Sequence, residues 1–229
     1  MIASGKIIRV LFPAQKYQFT HLLVRKASVF TVQKPKCPSA MKSAILIIAK
    51  GAEEMESVIT VDILRRGGVS VTLAGLDGPE PVLCSRQVTV VPDCSLADAL
   101  AKQPQYDAVI LPGGLEGTDR LCKSKIVGQV LKDHEQNCKI VAAICAAPSA
   151  LAVHCVGLNR RVTSHPITKD KIPTDCYTYV EGERVVVDGN IVTSRGPGTA
   201  YWFGLTLVEL LVGKDKALEV EKGMVLNTY

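Results

Sequence analysis

The sequence predicts an α/β domain built on a doubly wound, mostly parallel sheet with helices on both faces. Three observations carry that expectation. Short, wholly apolar runs recur, such as AILIIA at 44–49 and IVAAI at 140–144, and strands without a polar face belong in sheets buried on both sides. Charged stretches of helical length separate these runs. The 229-residue chain is 47% hydrophobic but only 5% aromatic, so its core must be aliphatic.

The elements follow in order. Ala44–Ala49 is the first strand, and a turn at Gly51 leads into a helix over Glu53–Arg66. Its acids fall in the first turn and Arg65-Arg66 in the last, which suits the helix macrodipole, and Gly67 stops it. Val69–Ala74 is the next strand. Val82–Cys84 and Gln87–Val91 predict a hairpin or a sheet edge. Asp107–Leu111 is the third core strand and ends in Pro112-Gly113-Gly114. Residues 116–136 predict one helix. Lys139–Ile144 is the fourth core strand, followed by a helix over Ala147–Val156. A fifth strand begins at Val162–Ser164. Arg184–Val187 and Ile191–Ser194 flank Asp188-Gly189, a strong hairpin signal. Helices over Thr199–Val212 and 214–222 close the chain.

The net charge of +5 is unevenly spread, because residues 1–40 hold seven Lys or Arg and no Asp or Glu. The other 20 basic and 22 acidic residues leave 41–229 about neutral. Two parts are therefore expected: a basic extension over 1–40 with the composition of a mitochondrial targeting segment, and one domain over 41–229. A disordered tail, or a start at Met41, would account for the extension as well. No basic run or aromatic-basic interleaving after Met41 suggests nucleic acid, and no run approaches the ~18 apolar residues of a membrane span. The eight cysteines are scattered, without C-x-x-C or zinc spacing. They suggest free thiols in a reducing compartment; together with the extension, the expected locations are the cytoplasm and mitochondrion, with the nucleus as a further one. Neither a metal nor a cofactor is expected.

Ligands in open α/β sheets bind beyond the carboxyl ends of the strands, so the residues there are the candidates. Cys145 follows the buried run IVAAI directly, and Ala146-Ala147-Pro148 permit a tight strand-to-helix turn. A thiol at a helix N-terminus is expected to have a lowered pKa; a small buried core cysteine is the plain alternative. Glu56 lies in the first turn of the first helix and shares a face with Ile59 and Ile63, so it should point inward. A carboxyl facing a thiolate in a dry pocket should be protonated, able to donate to sulfur or to move a proton. His165 follows the fifth strand and offers a base for a Cys/His pair, or is merely structural. Gly113-Gly114 offer N–H groups for an oxyanion. Arg86 and Arg195 are candidate anion-binding residues, and Cys84 a candidate second reactive thiol.

KGAEEMES (50–57), VTLAG (71–75), PV-x-CSR (81–86), LPGG (111–114), AAICA-x-P (142–148), VTSHP (162–166), KDKIP (169–173) and TSRGPGT (193–199) together resemble the ThiJ/PfpI superfamily, and within it the Parkinson-disease-associated protein deglycases. The similarity covers about residues 42–222. It implies a flavodoxin-like homodimer in which Cys145 is oxidisable to sulfinate. It further implies Glu56 as the protonated partner of that sulfur, His165 nearby, an oxyanion site at Gly114 and Ala146, and Arg86 near the dimer interface. The activities implied are hydrolysis of methylglyoxal adducts on protein side chains, glyoxalase activity yielding lactate, redox-dependent chaperoning and protection from oxidative stress. Three positions depart from the pattern. Ala147 replaces a glycine, Val91 replaces a cysteine (with Cys94 three residues on), and Ile167 stands where amidotransferase relatives carry the glutamate of His-x-Glu. The last argues against a Cys-His-Glu triad.

Overall fold

A computed structural model describes residues 41–226. The expected targeting segment at 1–40 lies outside the described residues. In chain order the strands are β1 (Ser43–Ile48), β2 (Ser70–Gly75), β3 (Val82–Leu83), β4 (Thr89–Val90), β5 (Cys94–Ser95), β6 (Ala108–Leu111), β7 (Ile140–Ile144), β8 (Arg161–Val162), β9 (Thr178–Tyr179), β10 (Val185–Asp188) and β11 (Ile191–Ser194). The helices are α1 (Glu54–Arg66), α2 (Leu96–Lys102), α3 (Leu115–Lys123), α4 (Lys125–Gln136), α5 (Pro148–Val153), α6 (Ala200–Leu211) and α7 (Lys214–Gly223).

Seven strands form one sheet in the order β10-β11-β7-β6-β1-β2-β5, parallel except for the β10–β11 pair. Side chains alternate across each strand, so β1 sends Ile45 and Ile47 to one face and Leu46 and Ile48 to the other. On the first face they meet Leu121, Val127, Leu131 and Leu151 of α3–α5. On the second they meet Ile63, Leu64, Phe203 and Leu207 of α1 and α6. The mostly parallel, doubly wound sheet with helices on both faces is therefore as expected, as are the β3–β4 and β10–β11 hairpins. Gly189 takes φ 61° in the second turn.

Three expectations need correction. The helix expected over 116–136 is two helices, broken at Ser124, whose Oγ accepts from Val127 N at 3.4 Å to cap α4. The fifth strand is short and does not join the main sheet; β8 pairs with β9 instead. The place beside β7 belongs to β11, fully buried and delivered there by its hairpin with β10. Finally, α5 stops at Val153 rather than Val156, because Cys155 adopts a left-handed backbone with φ 56°. The short pair β5 and α2 was not anticipated, although Ser95 three residues before Asp98 is a capping signal, and its Oγ accepts from Asp98 N at 3.0 Å.

Candidate active site

Cys145 continues the β7 ladder for one residue, donating its N–H to Ser194 O at 3.0 Å. It then turns sharply, with φ 64°. A side chain at positive φ is uncommon and costs about 1–3 kcal/mol unless its surroundings enforce it. Here they do. Ala147 N–H closes back on Ile144 O at 3.0 Å, and His165 N–H holds the Cys145 carbonyl at 2.8 Å. Pro148 then opens α5. Ala147 is helical, with φ −64°, so replacing glycine there introduces no strain.

The neighbouring strand β6 ends against the same turn. At Gly113 a Cβ would lie 2.6 Å from Cys145 Cβ and 2.7 Å from Glu56 Oε2, so only glycine fits. Gly114 takes φ 86°, where a Cβ would meet Gly51 O at 2.2 Å. This close packing lets the N–H groups of Gly114 and Ala146 hydrogen-bond the Cys145 sulfur. The two expected oxyanion donors thus converge on one point.

Glu56 is 0% exposed. Its Oε2 accepts from Gly113 N at 2.8 Å, while Oε1 is buried and takes no donor. The carboxyl also shares a hydrogen bond with the Cys145 sulfur. Burial, helped by the charge of Glu53, pushes the carboxyl up to about 7. The thiol departs from expectation. Burial and then the charged Glu56 push Cys145 up to about 12, against the opposing pull of the Gly114 and Ala146 N–H groups. Proximity to a helix N-terminus does not by itself make this a free thiolate. Carboxyl and sulfur form a pair, each anion raising the other, and the pair releases its first proton near neutral pH.

A cavity of about 440 Å³ opens in front of the sulfur. His165 lines it, but its Nδ1 accepts from Ile167 N at 3.2 Å, so the ring proton sits on Nε2 and no hydrogen bond joins it to sulfur. Ile167, also on the wall, is 70% exposed where a triad would need a carboxylate. Arg86 reaches the cavity with its guanidinium on Ser85 O at 3.2 Å. Arg195 is not part of the wall, and its Nε is buried without a partner. Cys84 lines the cavity, but burial and then Glu54 and Glu53 push its thiol up to about 11. Its described hydrogen bond is a donation to Val82 O at 3.8 Å, so nothing supports the sulfur as an anion. No group of three His, Cys, Asp or Glu among the described residues is arranged to hold a metal.

Two residues gained roles that their sequence context had left plain. Glu53 caps α1, its Oε2 accepting from Glu56 N at 2.8 Å, and so fixes the turn that carries Glu56. Glu54 accepts from Ser85 Oγ at 2.9 Å and Arg86 N at 2.7 Å, tying the 84–88 loop to the helix. The signal was the acid-rich start EEME at 53–56, with more carboxylates than one cap requires.

A family model described as the DJ-1/PfpI family matches residues 42–210. The chain belongs to the DJ-1/PfpI family. It is 53% identical over 189 residues to the zebrafish protein named Parkinson disease protein 7 homolog, covering 82% of this chain and 99% of that one. It is 38% identical to the Caenorhabditis elegans protein named glutathione-independent glyoxalase DJR-1.2, covering 82% and 98%. The crystal structure of Drosophila melanogaster DJ-1beta superposes with a TM-score of 0.78 at 49% identity, covering 81% and 98%. The flavodoxin-like α/β fold is that of these DJ-1 proteins.

Proposed function

We propose that this DJ-1/PfpI protein acts on methylglyoxal, free or added to protein side chains, as a cofactor-free glyoxalase and deglycase with Cys145 as nucleophile. The observation that carries this is the proton-sharing pair of Glu56 and Cys145 beneath two converging N–H groups. When the pair has lost one proton, a sulfur anion receives two N–H donors, whereas a charged Glu56 leaves Oε1 buried without one. The carboxyl, pushed up to about 7, gives up its proton before the thiol, pushed up to about 12, so the charged Glu56 takes the sulfur's proton as the two N–H groups receive the forming sulfur anion.

The sulfur adds to the aldehyde carbon of methylglyoxal, and the Glu56 proton passes to the new oxyanion. The carboxylate so formed removes the proton from that carbon and returns it to the neighbouring carbonyl carbon, while the hydroxyl proton passes to that carbonyl's oxygen. The aldehyde is thereby oxidised to a thioester as the ketone is reduced to an alcohol, and no outside electron carrier is needed. Water hydrolyses the thioester, giving lactate and the free thiol. The name of the C. elegans relative supports this chemistry. Steady-state lactate release from methylglyoxal tests it: wild type should turn over, while Cys145→Ser and Glu56→Gln should fall at least about 100-fold. A wild type without turnover would refute the proposal.

The same pair favours a second reading, a redox sensor in which peroxide converts Cys145 to sulfinate. Intact mass after peroxide titration should show two oxygens on Cys145 and fewer in Glu56→Gln. Oxidation elsewhere while Cys145 stays reduced would rule it out. We propose a homodimer for either role, supported by the exposed apolar Met55 and Val58 on α1; sedimentation of the intact chain tests it.

A further inference from the structure

A second pair of cysteines lies away from the Cys145 turn. Cys155 follows the end of α5, exposed and in a left-handed backbone; Cys176 precedes β9 and is partly exposed. Both are free thiols. Hydrogen bonds bind their two segments together. Asn159 N–H donates to the Cys176 carbonyl at 2.7 Å. The next residue, Tyr177, sends its hydroxyl under the first segment to Val156 O at 2.8 Å and Leu151 O at 3.3 Å.

We propose that Cys155 and Cys176 form a reversible disulfide, a redox site separate from Cys145. The hydrogen bonds from Asn159 to Cys176 and from Tyr177 to Val156 hold the two segments side by side, and partial burial, Asp175 and then the charge of Cys155 push the Cys176 thiol up. Cys155, the more exposed, is the first to react. Its thiolate attacks a small-molecule disulfide such as oxidised glutathione and releases one glutathione thiolate. The Cys176 thiolate then attacks the sulfur of Cys155 in the mixed disulfide and releases the second. The two protein thiols lose two electrons and two protons, and one glutathione disulfide becomes two glutathiones.

The consequence reaches the cavity. The bond would close the loop 155–176, which contains His165 and Ile167, two residues of the cavity wall. Cross-linking restricts the unfolded chain and pins the backbone behind that wall.

The test uses the full chain in a Cys145→Ser background, so that reaction at Cys145 cannot contribute. After treatment with oxidised glutathione and capping of the remaining thiols, digestion without reductant should give a peptide joining Cys155 to Cys176, two hydrogens lighter than its reduced parts. The oxidised protein should melt roughly 5 °C higher, and dithiothreitol should reverse both changes. Adding Cys155→Ser should abolish them. Should the background variant misfold, the same mapping on the wild-type chain gives the decisive peptide. Recovery of the two cysteines as separate capped peptides, each with its own glutathione, or joined to other cysteines would overturn the proposal.

Discussion

Gly113 and Cys145 approach so closely that a Cβ on the glycine would stand 2.6 Å from that of the cysteine. Ala146 N, at 3.0 Å, and Glu56 Oε2, at 2.7 Å, close the same space. Gly113→Ala must therefore displace the turn or the carboxyl. It should cost about 1–3 kcal/mol in a denaturant titration and slow alkylation of Cys145 by iodoacetamide. Unchanged stability together with unchanged alkylation would show that the strand ends are not held as tightly as this contact requires.

Glu56 makes folding depend on pH in an unusual direction. Burial holds its carboxyl at about 7 in the folded protein, against 4.5 for an ordinary glutamate. Between those values the folded form keeps a proton that the unfolded chain has released. The resulting stability is complete below pH 4.5 and is lost as pH rises through 7. The difference amounts to about 3 kcal/mol. Glu56→Gln keeps a neutral group in place, so its unfolding free energy should lack this decline between pH 4.5 and 7. Parallel pH profiles for the two proteins would contradict the assignment.

At Ala147 the backbone is already helical, with φ −64°. Restoring the family's glycine there should lower stability by about 0.5–1 kcal/mol through added freedom in the unfolded chain. The rate of Cys145 alkylation should stay within twofold of wild type. A large acceleration would show that the alanine restrains the turn.

The Glu54 carboxylate is largely buried and receives Ser85 Oγ and Arg86 N. Hydrogen bonds to a charged group contribute about 1.5–3 kcal/mol, so Glu54→Ala should destabilise the protein by about that amount. It should also speed proteolysis within residues 84–88, whereas Glu54→Gln, which keeps one acceptor oxygen, should restore part of the loss. Limited digestion with mass mapping distinguishes the two variants.

The main strands were legible because each is a compact apolar run, and buried parallel strands require such runs. The Cys145 turn was legible for a related reason, since small residues and Pro148 directly follow the strand. The break at Ser124 was hidden because serine serves a helix interior on the surface as well as a cap. The 161–164 stretch misled because Val162-Thr163-Ser164 has strand character but too little apolar length to displace Ile191–Ser194 from the sheet. The protonation of the Cys145 pair was only half visible. Helical spacing showed that Glu56 faces inward, but the strength of its burial depends on Gly113, which is distant in sequence.

The turn at Cys145 draws on segments near residues 51, 84, 113, 145 and 165, and none of them can hold the sulfur in this setting alone. The sulfur is thus a native-state reporter already present in the chain. Its rate of capture by a small electrophile, read on the Cys145 peptide as the protein refolds, should fall to its final value only when all five segments have docked. Pulses of maleimide with mass mapping of the Cys145 peptide could then time the last event of assembly without any probe being engineered into the molecule.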